Sequence, residues 1–377
     1  EGNTKDNILG QDVKIKLESE DSLSGVKEIR YSINEGEEKT YTDPIPVSKF
    51  QQEENELAFY AVDHVNNKEE KQSLTSSVNQ SSSGSEDGGE DGSFSYYIDE
   101  EPPEVDMEIV GDSYEGKKNL FVSSRSKVKI VADDEKSGVK NISYSINDSG
   151  LDNEYEEPFK LDIEGMGYLN YTASDQVGNQ SGRKTRALYN DSGKPESSVS
   201  YDGKHYLNRD TLFVTTDTRF VMSGNDDESG LQDVLYSIDN KEAQAYSDPI
   251  NLNPAGFHEL RFYAVDRVNN EEEANKLNVY VDDEAPDIYP HFSVESIGSK
   301  KVRDEKYMIY PSNSKLYIGS TDKACGTDYI KYKINDGEFK SELPIKQFDP
   351  GNYSIEIHAY DHLNNKSVQT IKFAIEH

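Results

Sequence analysis

The chain has 377 residues, room for two to four domains at roughly 100 to 200 residues each, and 73 Asp and Glu against 40 Lys and Arg give it a formal charge of −33. Such a chain repels phosphate backbones and anionic lipid surfaces, which argues against nucleic acid as a partner. A single cysteine, Cys325, excludes an intrachain disulfide framework and a four-cysteine zinc site, and no apolar run approaches the ~18 to 20 residues that span a bilayer.

Taken in order, the chain opens with alternating Val13, Ile15 and Leu17, only a few residues after Glu1, as when something upstream has been removed or left out. A turn through Asp21, Ser24 and Gly25 leads to a strand, IRYSIN, and then to YTDPI, whose proline suits an edge or a turn. FYAVDHVNN (59–67) follows. Residues 76–93 are Ser, Gly and acid with only Val78 apolar, a composition that predicts a flexible inserted loop, with the interrupted last strand resuming at Phe94–Ile98. The same order returns three times. The second pass runs from Pro102-Pro103 through ISYSIN and NYTASDQVGN, its last strand ending near Leu188. The third runs from Pro195 through VLYSID and FYAVDRVNN. The fourth has a longer, partly basic opening segment (287–315) before IKYKIN, Pro344-Ile345 and IHAYDHLNN.

In each closing motif an alternating apolar run precedes an Asp, and an Asn follows four residues later. Leu260, Phe262 and Ala264 alternate with Arg261, Tyr263 and Val265, the period of a strand with one face on a core, and Asp266 to Asn270 reads as a hairpin turn. The aligned Asp63, Asp175, Asp266 and Asp361 are 112, 91 and 95 positions apart, about one immunoglobulin-like sandwich of roughly 100 residues. The fold expected is therefore all-β, four tandem immunoglobulin-like antiparallel β-sandwiches: 1–101, incomplete at its start, then 102–194, 195–285 and 286–377. Short joints between them predict an elongated, semi-rigid array.

Gly25, Gly138, Gly230 and Gly326 each follow an Asp by four positions (Asp21, Asp134, Asp226, Asp322), which suits an Asx turn leading into a positive-φ glycine. A Tyr six residues after each Gly (Tyr31, Tyr144, Tyr236, Tyr332) is expected to pack inward. Asn67, Asn179, Asn270 and Asn365 are expected as turn residues, and Cys325 as a small turn residue where the other copies have Ser. In a sandwich of this kind the Gly turn, the hairpin and the preceding joint lie at one end. That would gather Asp134, Asp175, Asp99 and Glu101, and likewise Asp322, Asp361, Asp282 and Asp283, with Asp226 and Asp266 beside a poorer joint at Asp191. Oxygen ligands in this number suit calcium; turn-forming acids on an acidic surface are the alternative.

No catalytic constellation stands out. Two of the seven histidines, His64 and His362, occupy a hairpin position that is Gln176 and Arg267 in the other copies, so no enzyme activity is expected. Tyr201, Tyr206, Tyr307 and Tyr310 lie in the opening segments of the last two copies, where they form either a binding platform or outer-strand packing.

The pattern D-x-x-SG-x-x-x-I-x-Y-S-I-[ND], then Y-x-[DE]-P-[IF], then [FY]-x-A-x-D-x-[VL]-[GN]-N, resembles the bacterial immunoglobulin-like repeats of the OmpL47-type domain family. The resemblance covers all four copies and implies a β-sandwich, export, and a spacer or adhesive role. Cys325 and the long opening segment set the fourth copy apart. The function expected is a non-catalytic exported segment of a bacterial surface or envelope protein, extracellular, at the cell surface or periplasmic, presenting protein-binding surfaces and, as a further partner class, glycan. The alternatives are a carbohydrate-binding accessory array of a secreted polysaccharide-active enzyme and a structural subunit of an envelope or filament complex.

Overall fold

The computed structural model describes residues 2, 4–5, 8–50, 54–78, 94–148, 150–341 and 346–377. Among these the regular structure is strand, with one short 3-10 turn at Val47–Lys49 and no α-helix. The chain divides into two compact units, Glu1–Ser192 and Gly193–His377.

Each unit contains two separate hydrophobic cores. In the first, Leu57, Phe50, Ile45 and Tyr96 form one cluster and Leu169, Tyr171, Val128 and Leu188 another. In the second, Leu212, Phe220, Leu260 and Val279 form one and Leu316, Ile355, Ile357 and Phe373 the other. Each core lies between a large and a small sheet. The third repeat shows the plan: a six-stranded sheet centred on Leu231–Ile238, Gly256–Asp266 and Asn275–Val281 faces a three-stranded sheet built on Glu196–Asp202 and Arg219–Asn225. The chain is thus a tandem array of immunoglobulin-like β-sandwiches. Alternation drives it: along Gly256–Asp266, residues 258, 260, 262, 264 and 266 are buried.

One register detail recurs in all four repeats. The residue after the turn glycine pairs with the hairpin Asp (Val26 with Asp63, Val139 with Asp175, Leu231 with Asp266, Thr327 with Asp361), and a bulge follows at once. The bulge holds the glycine turn and the hairpin side by side at one end of the sandwich.

The first repeat departs from the expectation of one interrupted last strand. Gln72–Val78 and Phe94–Asp99 lie beside each other in parallel, Ser76 opposite Phe94 and Val78 opposite Tyr96, so they are two strands of one sheet. Residues 76–78 of the expected loop belong to the first of these; the rest of that loop, and Pro344-Ile345, lie outside the described residues. The last strand of the second repeat runs to Asp191, three residues beyond the expected end.

His258 is buried with an acceptor at each ring nitrogen, Asp239 Oδ2 at 2.8 Å from Nδ1 and the Pro254 carbonyl at 2.7 Å from Nε2. Burial opposes its charge, but the two acceptors outweigh burial and raise its pKa above 6.5. A raised histidine stabilises the fold fully below its unfolded pKa and loses that contribution as pH rises through the folded value. Urea midpoints of the third repeat should therefore fall between pH 6 and pH 8.5, and His258→Gln should flatten that slope; an unchanged slope would refute the assignment.

Candidate functional site: the carboxylates at the repeat ends

At the end of each sandwich the hairpin Asp takes up the backbone donors of its own turn. Asp175 Oδ1 accepts from the N–H groups of Val177 (2.9 Å) and Asn179 (2.8 Å), and Oδ2 from the Asn179 side-chain amide (2.7 Å). Asp266 and Asp361 repeat this geometry with Val268 and Asn270, and with Leu363 and Asn365. So does Asp63 with Val65 and Asn67. The positive-φ residue is the one before the recurring Asn: Asn66, Gly178, Asn269 and Asn364. The recurring Asn is thus kept for its amide, and its predecessor supplies the left-handed backbone.

The glycine turn is equally regular. Asp134, Asp226 and Asp322 each accept the N–H of the glycine four residues on at 2.7 to 2.9 Å, and Gly25, Gly138, Gly230 and Gly326 all have φ between 75° and 89°. In the first repeat the Ser24 hydroxyl bridges Asp21 (3.1 Å) and Asp63 (2.8 Å).

Within the first unit the joint acid completes the arrangement. Asp99 is fully buried; its Oδ1 accepts from Glu101 N–H (3.1 Å) and its Oδ2 from Ser137 N–H (3.2 Å). Asn179 donates across the joint to the Asp99 carbonyl at 2.9 Å. Oxygen atoms of Asp99, Asp134 and Asp175 lie within 4.8 Å of one another. Within the second unit Asp282 takes the same place, accepting from Glu284 N–H and from Cys325 N–H, and Asn365 donates to the Asp282 carbonyl at 3.0 Å. Asp282, Asp322 and the Cys325 sulfur form the matching group. Asp226 and Asp266 also lie within 4.8 Å of each other.

Two expected ligands are elsewhere. The Glu101 carboxylate is exposed and pairs with Lys136 at 3.3 Å, and Asp283 accepts the Thr216 N–H at 3.0 Å. Both lie past the ends of their strands, which stop at Asp99 and Val281, and both are exposed.

Burial raises the Asp282 pKa, against the hydrogen bonds it accepts. The Cys325 thiol is pushed far up, first by burial and then by Asp282, which favours its protonated form. No histidine joins these clusters; His258 spends both nitrogens on structural acceptors, and His64 and His362 lie over the turn glycines.

Packing claims most of the candidate tyrosines. Tyr201 packs edge-on against Phe220 and Tyr310 stacks on Phe292 at 3.8 Å, both against the cores of their repeats. Tyr206 stacks on His362 with ring centroids 4.1 Å apart and planes 8° apart, and Tyr307 lies opposite Lys300 in its hairpin. The inward tyrosines meet a second ring edge-on in three repeats, as in Tyr31 with Tyr41 and Tyr236 with Tyr246.

No protein-family model matches the chain, and no curated protein matches it. Among solved structures it is similar to the fibronectin(III)-like modules of Clostridium thermocellum CbhA (10% identity, 46% of this chain and 94% of that one, TM-score 0.29). It is also similar to a tetra-tandem repeat in the extending region of a large adhesion protein (10% identity, 98% of each chain, TM-score 0.30) and to the protocadherin gammaB7 EC3-6 cis-dimer (12%, 98% of each chain, TM-score 0.28).

The roles of the two adjacent turn residues predict opposite sensitivities. Asn364→Gly should change stability by less than about 0.5 kcal/mol, since glycine accepts positive φ. Asn365→Gly should cost ~1 to 3 kcal/mol by orphaning the Asp282 carbonyl and one Asp361 oxygen. Chemical denaturation of both variants measures this, and the reverse order would refute the assignment.

Proposed function

We propose that the chain is a non-catalytic, exported segment of a bacterial surface or envelope protein, which holds distance and presents protein-binding surfaces along tandem immunoglobulin-like repeats. The observation that carries this reading is the built joint. Asn179 and Asp99 in one unit, and Asn365 and Asp282 in the other, bind the end of one repeat to the turn and hairpin of the next. A flexible linker needs no buried side-chain hydrogen bonds, whereas a segment that transmits reach needs a fixed angle between neighbours. The motif likeness to OmpL47-type repeats supports export and a spacer or adhesive role, and rests on the motif alone.

The joint acids extend the proposal to calcium. Asp99, Asp134 and Asp175 offer three hard carboxylates in one place; in the fourth repeat Asp282 and Asp322 lie together beside the Cys325 sulfur, and in the third Asp226 lies with Asp266. A bound cation would offset the cost of burying these carboxylates together, over and above the backbone N–H groups that already do so in part.

Two measurements test the two parts. In a Cys325→Ser background, nitroxides at Lys39→Cys and Lys118→Cys should give a narrow electron–electron distance distribution that Asn179→Ala broadens; a distribution already broad without that change would sink the fixed joint. Melting in 2 mM calcium should exceed melting in chelator, by ~2.7 kcal/mol if calcium is at a hundred times its dissociation constant. Asp134→Asn should remove the second repeat's share of the difference and leave the rest, and equal melting in the two buffers would leave turn-forming acids alone.

A further inference from the structure

The charge of this chain is unevenly placed. Residues 286–377 hold 12 Lys and Arg against 13 Asp and Glu, a charge of −1, so the other 285 residues carry −32 of the −33. The outer face of the five-stranded sheet in this repeat, on Thr327–Ile334, Gly351–Asp361 and Lys366–Glu376, is both aromatic and basic.

Cross-strand register brings the groups together. Tyr329 is opposite Tyr360, which is opposite Lys366; Lys331 is opposite His358, which is opposite Val368. The two tyrosine rings stack with centroids 4.6 Å apart, and the Lys331 ammonium lies over both, 5.1 and 5.6 Å from their centroids. Lys366 lies 5.8 Å from the Tyr360 centroid. Phe339, 39% exposed, packs on the His358 ring at 4.4 Å with Lys333 over it at 5.0 Å. Glu356 is the acid of this face and is taken by Lys333 and His358. Lys331 and Lys366 have no carboxylate partner among the described residues. The corresponding positions of the second repeat are Asn141 and Ser174, Ser143 and Thr172, so the patch is not a property of the repeat fold.

We propose that this face binds an anionic polysaccharide, a sugar chain bearing carboxylate or phosphate groups. Charge complementarity selects the sign: Lys331 and Lys366 are unneutralised cations on the one repeat that does not repel an anion. Aromatic rings amid lysines offer the apolar side of a sugar ring a surface while the ammonium groups take its anions. A protein partner is disfavoured, because the centre of a protein interface is depleted of lysine, whereas Lys331, Lys333 and Lys366 stand among the rings of this face. The proposal deepens the adhesive reading and rests on it, but its test is made in solution and does not depend on where the chain resides.

The test is affinity electrophoresis of the full chain in gels containing polygalacturonate, phosphomannan, neutral dextran or poly-glutamate. Retardation by either anionic glycan, and not by dextran, is expected, and which of the two acts identifies the anion. The double variant Lys331→Glu with Lys366→Glu should weaken binding at least about tenfold. The pair Lys301→Glu with Lys306→Glu, an equal charge change on another hairpin, should stay within about twofold. Tyr329→Ser should weaken binding with no change of charge, which keeps the test decisive if the double variant melts early. No retardation by either anionic glycan, equal losses in the two lysine pairs, or poly-glutamate bound as tightly as the glycans would overturn the proposal.

Discussion

Each repeat closes on a carboxylate that sits where its hydrophobic core ends. The alternation that buries Leu260, Phe262 and Ala264 continues one step further to Asp266, so a charged group is carried inward and must be satisfied there. Two backbone N–H groups and one side-chain amide do this, and in doing so they fix the hairpin. The bulge beside it brings the glycine turn alongside, and within each unit the pair in the second of its two repeats forms the surface on which the first one ends. Remove the buried carboxylate and the hairpin, the turn and the joint all lose the acceptor around which they are arranged.

That arrangement explains why so much was legible in the sequence. Strand period, Asx turns and positive-φ glycines are local properties, and the Asp and Gly offsets recur because local geometry demands them. The gathering of Asp99 with Asp134 and Asp175 also followed, since a sandwich brings those loops to one end. What was not legible depended on strand ends and register. Whether Asp99 or Glu101 enters the cluster turns on where the strand ends, at Asp99, and which of two adjacent turn residues takes the left-handed backbone is settled by the hydrogen bonds of the recurring Asn, not by its residue type. Tyr329, Tyr360 and Lys366 lie on three strands, and nothing in their separate neighbourhoods announces that they meet.

The fourth repeat uses the same scaffold differently. Its turn carries Cys325 where Ser137 stands in the second, and its opening hairpin, Gly298–Val302 with Glu305–Pro311, is longer than its counterpart Ser113–Glu115 with Leu120–Ser123. The core plan is unchanged, with Leu316, Ile357 and Phe373 in place. Outward positions, free of the demands of the core, are where its composition diverges.

The parallel pair in the first repeat bears on sheet order rather than on chain length. Phe94 lies opposite Ser76, only two residues back from Val78, so the sheet asks for no long return between the two strands and does not set the length of chain that joins them. What the added strand changes is the order of the sheet. Phe94–Asp99 pairs in parallel with Ile8–Gly10 on one side and with Gln72–Val78 on the other, whereas in the second repeat Leu120–Ser123 meets Lys184–Asp191 directly. The opening segment of the first repeat therefore sits one strand further from Glu54–Asp63 than its counterpart does from Gly165–Asp175.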